Sequence, residues 1–160
     1  MRKIFAFLLT FIMALSTTCV AFAGEMPAPS NTYPVEYEYF DDGSYIVTTI
    51  TEEPSVSFAR ATSTKTASKT ATYKSSSGAS LWSVTITGTF SYNGSSAKCT
   101  AASVSTNIYN NAWKISNKSA SKSGSTAIAT ATGKQYKNGS ILSQIEKTVK
   151  LTCSKNGVCS

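Results

Sequence analysis

The strongest constraint on the fold is the alternation of apolar and polar residues in LWSVTITGTFSY, residues 81–92. One side of this run carries large apolar side chains at Trp82, Val84, Ile86, Phe90 and Tyr92. The other side carries serine and threonine. A period of two residues is the period of a β-strand, so the run predicts a half-buried strand, with Gly88 as the one small residue on its apolar side.

Weaker alternating runs lie at about residues 66–74, 98–108, 112–122, 125–136 and 144–154. Turn dipeptides occur between or after some of these runs, at Ser77-Gly78, Asn93-Gly94, Asn138-Gly139 and Asn156-Gly157. Short strands at this spacing predict an all-β fold, an antiparallel β-sandwich of immunoglobulin-like type. The expected core consists of Trp82, Val84, Ile86, Phe90, Val149 and Leu151. Alanines 127, 129 and 131 form one small face, which suits close packing of two sheets.

The amino terminus predicts export. A short basic start precedes the apolar run IFAFLLTFIMAL, which is too short to span a bilayer, and the small-residue pattern of a signal-peptidase site follows. We interpret residues 1–23 as a signal peptide cleaved after Ala23, and we expect a secreted protein, loosely associated with the cell wall and without a transmembrane segment. A lipoprotein anchor at Cys19 is the alternative, although the residues before Cys19 fit a lipobox poorly.

Charge divides the mature chain into two segments. Seven of the eight acidic residues lie before Arg60, whereas twelve lysines and only one acid, Glu146, follow it. Residues 24–60 carry a net charge of −6 and residues 61–160 a net charge of +11. Such asymmetry is typical of a tail, linker or pro-segment, although two solvated segments would give the same pattern.

We therefore predict an acidic amino-terminal segment over residues 24–61 and a basic β-sandwich domain over residues 62–160. Arg60 lies between small residues, and we expect proteases to process the chain there.

The acidic segment is expected to form a β-hairpin over residues 35–50. A two-residue turn at Asp42-Gly43 would pair Phe40 with Tyr45 and Tyr39 with Ile46. That register collects one apolar face, made of Val35, Tyr37, Tyr39, Ile46 and Ile50. An isolated hairpin is marginal in water. We therefore expect this face to dock on the domain or on a partner, with the carboxylates of the segment near lysines.

Several chemistries are excluded by composition. The chain has no histidine, which removes the usual general base and most zinc sites. The basic domain has a single carboxylate, so a pair of carboxylates for glycoside hydrolysis cannot be built within it. The sequence DDG, residues 41–43, favours a hairpin turn over a calcium site. We expect no enzymatic activity, no cofactor and no metal.

Export would place Cys99, Cys153 and Cys159 where disulfides persist. Cys153 falls on the same alternating face as apolar neighbours and is expected to point inward. A two-residue turn at Asn156-Gly157 puts Cys153 opposite Ser160, whereas a three-residue loop puts it opposite Cys159. We favour a Cys99–Cys153 disulfide, which requires a bulge because Cys99 is out of phase with the rest of its strand.

The chain resembles an uncharacterised family of small secreted β-domain proteins of Gram-positive, largely anaerobic bacteria. The stretches that carry the resemblance, in this order, are DGSYIVTTI, KTATYK, LWSVTITGTFSYNG, KCTAASVSTNIYN, WKISNKSASKSG and KTVKLTCSKNG. They cover nearly all of the mature chain. The resemblance implies export, a β domain and a cysteine pair at Cys99 and Cys153, with Cys159 as an addition; it implies no activity.

Lys114, Lys118 and Lys122 form the candidate binding site. Their spacing by four residues places them on one face of a strand, opposite Trp113 and Ile115. A strand face of solvated lysines that protects a sheet edge would have the same pattern.

The best interpretation is a non-catalytic binding module attached electrostatically to an anionic cell-wall polymer or acidic glycan. The alternative is a secreted effector or bacteriocin-like protein whose acidic pro-segment is cleaved near Arg60. Nucleic acid is not expected as a physiological partner, because export removes the protein from it and the predicted aromatic residues belong to the core face.

Overall fold

Eight β-strands make up the part of the chain that the computed structural model describes, residues 33–53 and 62–160. They are β1 (Glu36–Tyr39), β2 (Tyr45–Glu52), β3 (Ser63–Lys74), β4 (Ser80–Tyr92), β5 (Ala97–Ile108), β6 (Trp113–Ser123), β7 (Thr126–Lys137) and β8 (Ser140–Thr152). Within these ranges there is no helix, and hence none long and apolar enough to cross a membrane. The predicted signal peptide, Cys19 and the Arg60 junction lie outside the described residues.

Strands β3 to β8 confirm the six strands predicted from the alternation. The largest difference is at β8, which begins at Ser140 instead of near residue 144. The reason is the tight turn before it, where Asn138 and Gly139 both have left-handed backbone, with φ of 52° and 83°. Two left-handed residues make the two-residue turn that fits a twisted hairpin, so strand pairing resumes at once.

The strands form two antiparallel sheets stacked as a sandwich. The first sheet has the order β1-β2-β3-β4-β5 and the second the order β6-β7-β8. β7 packs over β4 and β5, and β8 packs over β3 and β4. The predicted antiparallel sandwich is confirmed. Both sheets follow chain order as simple meanders, whereas an immunoglobulin fold distributes successive strands between its sheets, so that part of the prediction is not confirmed.

The two sheets approach closely through the small face of β7. Its three alanines are fully buried, and every predicted core residue is at most 3% exposed: Trp82, Val84, Ile86, Phe90, Val149 and Leu151. A Cβ atom added to Gly88 would lie 2.9 Å from Cβ of Ala127, and one added to Gly133 would lie 2.5 Å from the ring of Trp82. Both distances are below van der Waals contact, so the glycines supply the space that the facing side chains fill.

An aromatic cluster fills one end of the sandwich. The ring of Tyr73 lies 5.3 Å from that of Trp113 and 6.2 Å from that of Trp82, measured between centroids. Phe40 meets Tyr73 edge to face at 5.8 Å. The Tyr73 hydroxyl donates a hydrogen bond to Ser44 Oγ over 2.8 Å. Since Phe40 and Ser44 flank the β1–β2 loop, the cluster ties the acidic hairpin to the core.

The hairpin forms over the predicted residues, but its predicted register is wrong by one position. Tyr39 pairs with Tyr45, not with Ile46, which pairs with Glu38. The cause is a three-residue loop, Asp41 to Gly43, in which Gly43 has a φ of 78°. A shift of one residue moves each side chain to the opposite face of the sheet. Ile46 is therefore buried, and the tyrosines lie on the outer side.

The acidic hairpin belongs to the sandwich itself. β2 pairs with β3 over its whole length, from Tyr45 opposite Lys74 to Glu52 opposite Ala67. The hairpin docks by extending a sheet rather than by laying an apolar face on the domain. Cleavage at Arg60, in the β2–β3 connection, would leave this pairing in place, so a cut alone would not release the segment.

We predict that Ile46→Ala destabilises the protein by about 2–5 kcal/mol, the usual cost of truncating a buried aliphatic side chain. Val47→Ala is the matched control, because Val47 lies on the outer face and should cost about 1 kcal/mol or less. Chemical denaturation of both variants measures the two values. Equal costs would contradict the register described above.

Candidate functional site

The three predicted lysines do not share one face of β6, because the strand contains a bulge. The register between β6 and β7 shifts within residues 115–117. Lys114 precedes this point, whereas Lys118 and Lys122 follow it. An extra residue inverts the alternation of everything beyond it, so the prediction of a single lysine face is wrong.

Lys118 and Lys122 lie on the inner side of their sheet, at its edge. Lys118 pairs with Ala131 and Lys122 with Ala127, and both alanines face the core. Because β6 is an edge strand, the two lysine side chains nevertheless remain exposed. The Lys122 ammonium donates a hydrogen bond to the backbone carbonyl of Thr100 in β5. Lys122 thus connects the two sheets.

Lys114 has a different neighbour, Lys134 of β7, which sequence reasoning does not single out. The two lysines stand directly opposite each other on the outer face. The Lys114 ammonium also lies 5.3 Å from the centre of the Tyr136 ring. Like charges directly opposite in adjacent strands weaken a sheet, and a bound anion would remove the repulsion. The alternation of β7 predicts that Lys134 points outward. Which residue of β6 lies opposite Lys134 depends on the bulge in β6, which the alternation does not reveal.

A groove of about 540 Å³ lies between β5 and β6. Its lining residues are Thr106, Asn107, Ile108, Lys114, Ile115, Ser116, Asn117 and Lys118. The lining thus contains two ammonium groups, several hydroxyl and amide groups, and no carboxylate. The bulge allows Lys114 and Lys118 to line the same groove although they start from opposite faces of the strand. Lys122 is not part of the lining.

The carboxylates of the hairpin neutralise lysines elsewhere in the sandwich. Glu52 pairs with Lys65 at 2.7 Å, Glu36 with Lys69 at 3.5 Å, and Glu38 with Lys147. These contacts confirm the expectation that the acidic segment lies near lysines. None of the lysines of β6 and β7 forms an ion pair with a carboxylate of the described residues. The two lysines that line the groove are therefore among those without a carboxylate partner in the described residues.

A group of three tyrosines, two of them exposed, lies on the outer face of the hairpin. Tyr37 and Tyr39 are 56% and 71% exposed. Their rings are stacked with centroids 6.2 Å apart and an angle of 12° between planes, and Tyr45 lies 5.5 Å from Tyr39. We call these three residues the tyrosine platform. Sequence reasoning missed it, because the two-residue turn assumed there would have placed Tyr37 and Tyr39 with Ile46.

The DDG sequence forms a turn, as predicted. Asp42 Oδ1 accepts a hydrogen bond from the backbone N–H of Ser44 over 2.9 Å and a second from the Ser44 hydroxyl. These hydrogen bonds to Ser44 hold the pKa of Asp42 below its ordinary value. In the described ranges no group of three or more acidic, cysteine or histidine side chains is arranged to hold a metal.

A buried polar network connects the hairpin to the carboxyl terminus. Lys65 is 8% exposed and donates hydrogen bonds to Glu52 and to the carbonyl of Gly157, both over 2.7 Å. The Tyr33 hydroxyl also donates to Glu52. Burial and the Glu52 carboxylate raise the pKa of Tyr33 to about 12. Strand β2, strand β3 and the last loop thus meet at one ammonium group.

The three cysteines in the described part of the chain, Cys99, Cys153 and Cys159, are buried thiols. Cys153 forms an antiparallel bridge with Cys159, so the three-residue loop, residues 155–157, is the alternative that occurs. Cys99 lies in β5, where the predicted bulge is present between Cys99 and Ala101. The Cys99–Cys153 disulfide itself stays a prediction. Burial raises the pKa of all three thiols, that of Cys159 to about 12.

No protein-family model matches the chain, and no curated protein or solved structure is similar to it. The resemblance to a family of secreted proteins stays a prediction. Function must therefore be inferred from the groove, the platform and the cysteines themselves.

We predict that the fully reduced protein loses stability as the pH rises above 9. The pKa of Cys159 is raised from 9.0 to about 12 in the folded chain by burial and by the neighbouring Cys153, with Glu52 adding to this and Lys65 opposing it. The unfolded chain therefore loses this proton first, and the stabilisation present below pH 9 disappears between pH 9 and 12.

The measurement is the free energy of unfolding against pH in the presence of a reductant. Cys159→Ala is the comparison, because lysines and tyrosines titrate in both proteins. The free energy of unfolding should fall more steeply between pH 9 and 12 in the wild type than in Cys159→Ala. Identical slopes would contradict the assignment of this loss of stability to the Cys159 thiol.

Proposed function

We propose that this protein is a non-catalytic binding module that attaches to an anionic polysaccharide of the cell envelope through the β5–β6 groove. The observation that carries the proposal is the placement of Lys114. It lines the groove and stands opposite Lys134, and neither ammonium group forms an ion pair with a carboxylate of the described residues. A polyanion would supply the missing negative charge.

The lining of the groove supports a polymer of sugars over a simple counterion. Asn107, Asn117 and Thr106 present amide and hydroxyl groups next to the two ammonium groups. Amides and hydroxyls both donate and accept hydrogen bonds, as the hydroxyl groups of a sugar require. The apolar side chains of Ile108 and Ile115 complete the lining. Uronic acid units, which carry a carboxylate on a sugar ring, match this combination.

Binding to soluble polygalacturonate tests the proposal. Replacing Lys114, Lys118 and Lys134 together by glutamine should weaken binding about tenfold or more. Each exposed charge contact contributes several tenths of a kcal/mol, and in the wild type the bound polyanion also removes the repulsion between Lys114 and Lys134. Wild-type affinity should fall as salt is added. Affinity electrophoresis at several ionic strengths measures both effects.

The control replaces Lys98, Lys150 and Lys155 by glutamine, which removes the same charge from positions outside the groove. Equal weakening in the two triple variants would mean that net charge alone is responsible and would contradict a groove site.

A second candidate function, the binding of uncharged glycan, is favoured by the tyrosine platform. Stacked exposed rings offer a flat, rigid surface with hydroxyl groups at its rim, which suits the apolar face of a sugar ring. The platform lies on the acidic hairpin, close to Asp41 and Asp42, so a polyanion is disfavoured there. The platform would therefore bind neutral sugars, and the groove acidic ones.

We predict that Tyr37→Ala combined with Tyr39→Ala weakens binding to insoluble chitin, an uncharged polysaccharide, about tenfold at high salt, where groove binding is screened. Tyr109→Ala is the control, because Tyr109 is 55% exposed but lies outside the platform. Co-sedimentation measures the bound fraction. Loss in the control alone, or no loss in the double variant, would reject the platform as a glycan site.

A further inference from the structure

The carboxyl terminus folds back along β8 and places two cysteines side by side. Thr152 and Ser160 exchange two backbone hydrogen bonds, each of 2.9 Å. Ser154 donates its backbone N–H to the carbonyl of Val158 over 2.8 Å. Between these two bonded positions lies the bridge of Cys153 and Cys159.

The position of this bridge is the one that suits a disulfide. Hydrogen-bonded and non-hydrogen-bonded pairs alternate along an antiparallel ladder, so Cys153 and Cys159 form a non-hydrogen-bonded pair. Such pairs have Cα atoms about 4.5 Å apart, within the range of about 4.4–6.8 Å that disulfides span. Directly opposite residues of an antiparallel pair project from the same face of the ladder, so the two side chains lie next to each other.

Cys99 has different partners. It stands opposite Phe90 in the β4–β5 ladder, and its thiol donates to the carbonyl of Ala101 over 3.2 Å. Its backbone N–H donates to the carbonyl of Gly124, in the turn between β6 and β7. No strand pairing among the described residues sets Cys99 opposite Cys153.

We propose that Cys153 and Cys159 form the disulfide of this protein, in place of the predicted Cys99–Cys153 pair, and that Cys99 remains a thiol. The oxidant is another disulfide, either a small molecule or a protein. One cysteine thiolate attacks it and releases one thiolate, and the second cysteine attacks the resulting mixed disulfide and releases the other. The two cysteines lose two protons and two electrons, and the oxidant is reduced to two thiols.

The link fixes more than the last loop. Gly157, inside the loop that the disulfide closes, accepts a hydrogen bond from Lys65, which also pairs with Glu52 of β2. A closed loop holds this carbonyl in place and so supports the network that joins the hairpin to β3. The disulfide would therefore strengthen the attachment of the acidic hairpin as well as the carboxyl terminus. This inference does not depend on the proposed function.

Peptide mapping tests the pairing directly. The purified chain is refolded in a glutathione redox buffer, because the buried, protonated thiols of the folded protein react slowly. Free thiols are then alkylated, and the protein is digested with trypsin without reduction. Cleavage after lysines places Cys99, Cys153 and Cys159 on separate peptides, 99–114, 151–155 and 156–160.

The expected product is peptide 151–155 linked to peptide 156–160, with peptide 99–114 alkylated. A link from peptide 99–114 to either of the others, or alkylation of all three peptides, would overturn the proposal.

The thermal transition gives a second measurement. Oxidation should raise Tm by about 5–10 °C in the wild type, as estimated for a short closed loop in a domain of this size. The same rise should occur in Cys99→Ala and should be absent in Cys159→Ala. Because each rise compares the oxidised and reduced forms of one variant, a general loss of stability does not obscure it. A rise that disappears in Cys99→Ala would reject the pairing.

Discussion

The close approach of the two sheets is the constraint on which the rest of the structure depends. The second half of the chain has few large aliphatic residues, so the core must be thin. Alanines on β7 bring the sheets together, and Gly133 leaves room for the ring of Trp82. Trp82 in turn packs against Tyr73 and Trp113. A few aromatic rings in a narrow gap thus replace the aliphatic core of a larger domain.

The acidic hairpin completes this thin core and also determines where positive charge remains. Ile46 adds a buried side chain, and Glu36, Glu38 and Glu52 neutralise lysines of β3 and β8. The lysines of β6 and β7 have no such partner among the described residues. In the fold, the uneven charge of the sequence therefore becomes three ion pairs on β3 and β8, and lysines on β6 and β7 that have no carboxylate partner.

The candidate sites depend on local irregularities that alternation does not reveal. One extra residue in β6 separates Lys114 from Lys118 and Lys122 and places Lys114 opposite Lys134. A three-residue loop in the hairpin likewise brings the tyrosines to the outer face. Each irregularity shifts the pairing by one position, which exchanges the two faces of a strand. Sequence reasoning identified the basic strand correctly, but not the arrangement of its charges.

The sequence by itself determined the strands, the core and the nearness of carboxylates to lysines. Alternation with a period of two depends only on neighbouring residues, and burial follows from which side is apolar. The tertiary structure decided the connectivity of the sheets, the groove and the placement of Cys153 opposite Cys159. These features depend on the lengths of loops and the positions of bulges. Alternative loop lengths and bulge positions differ little in local energy, so the packing of distant strands decides between them.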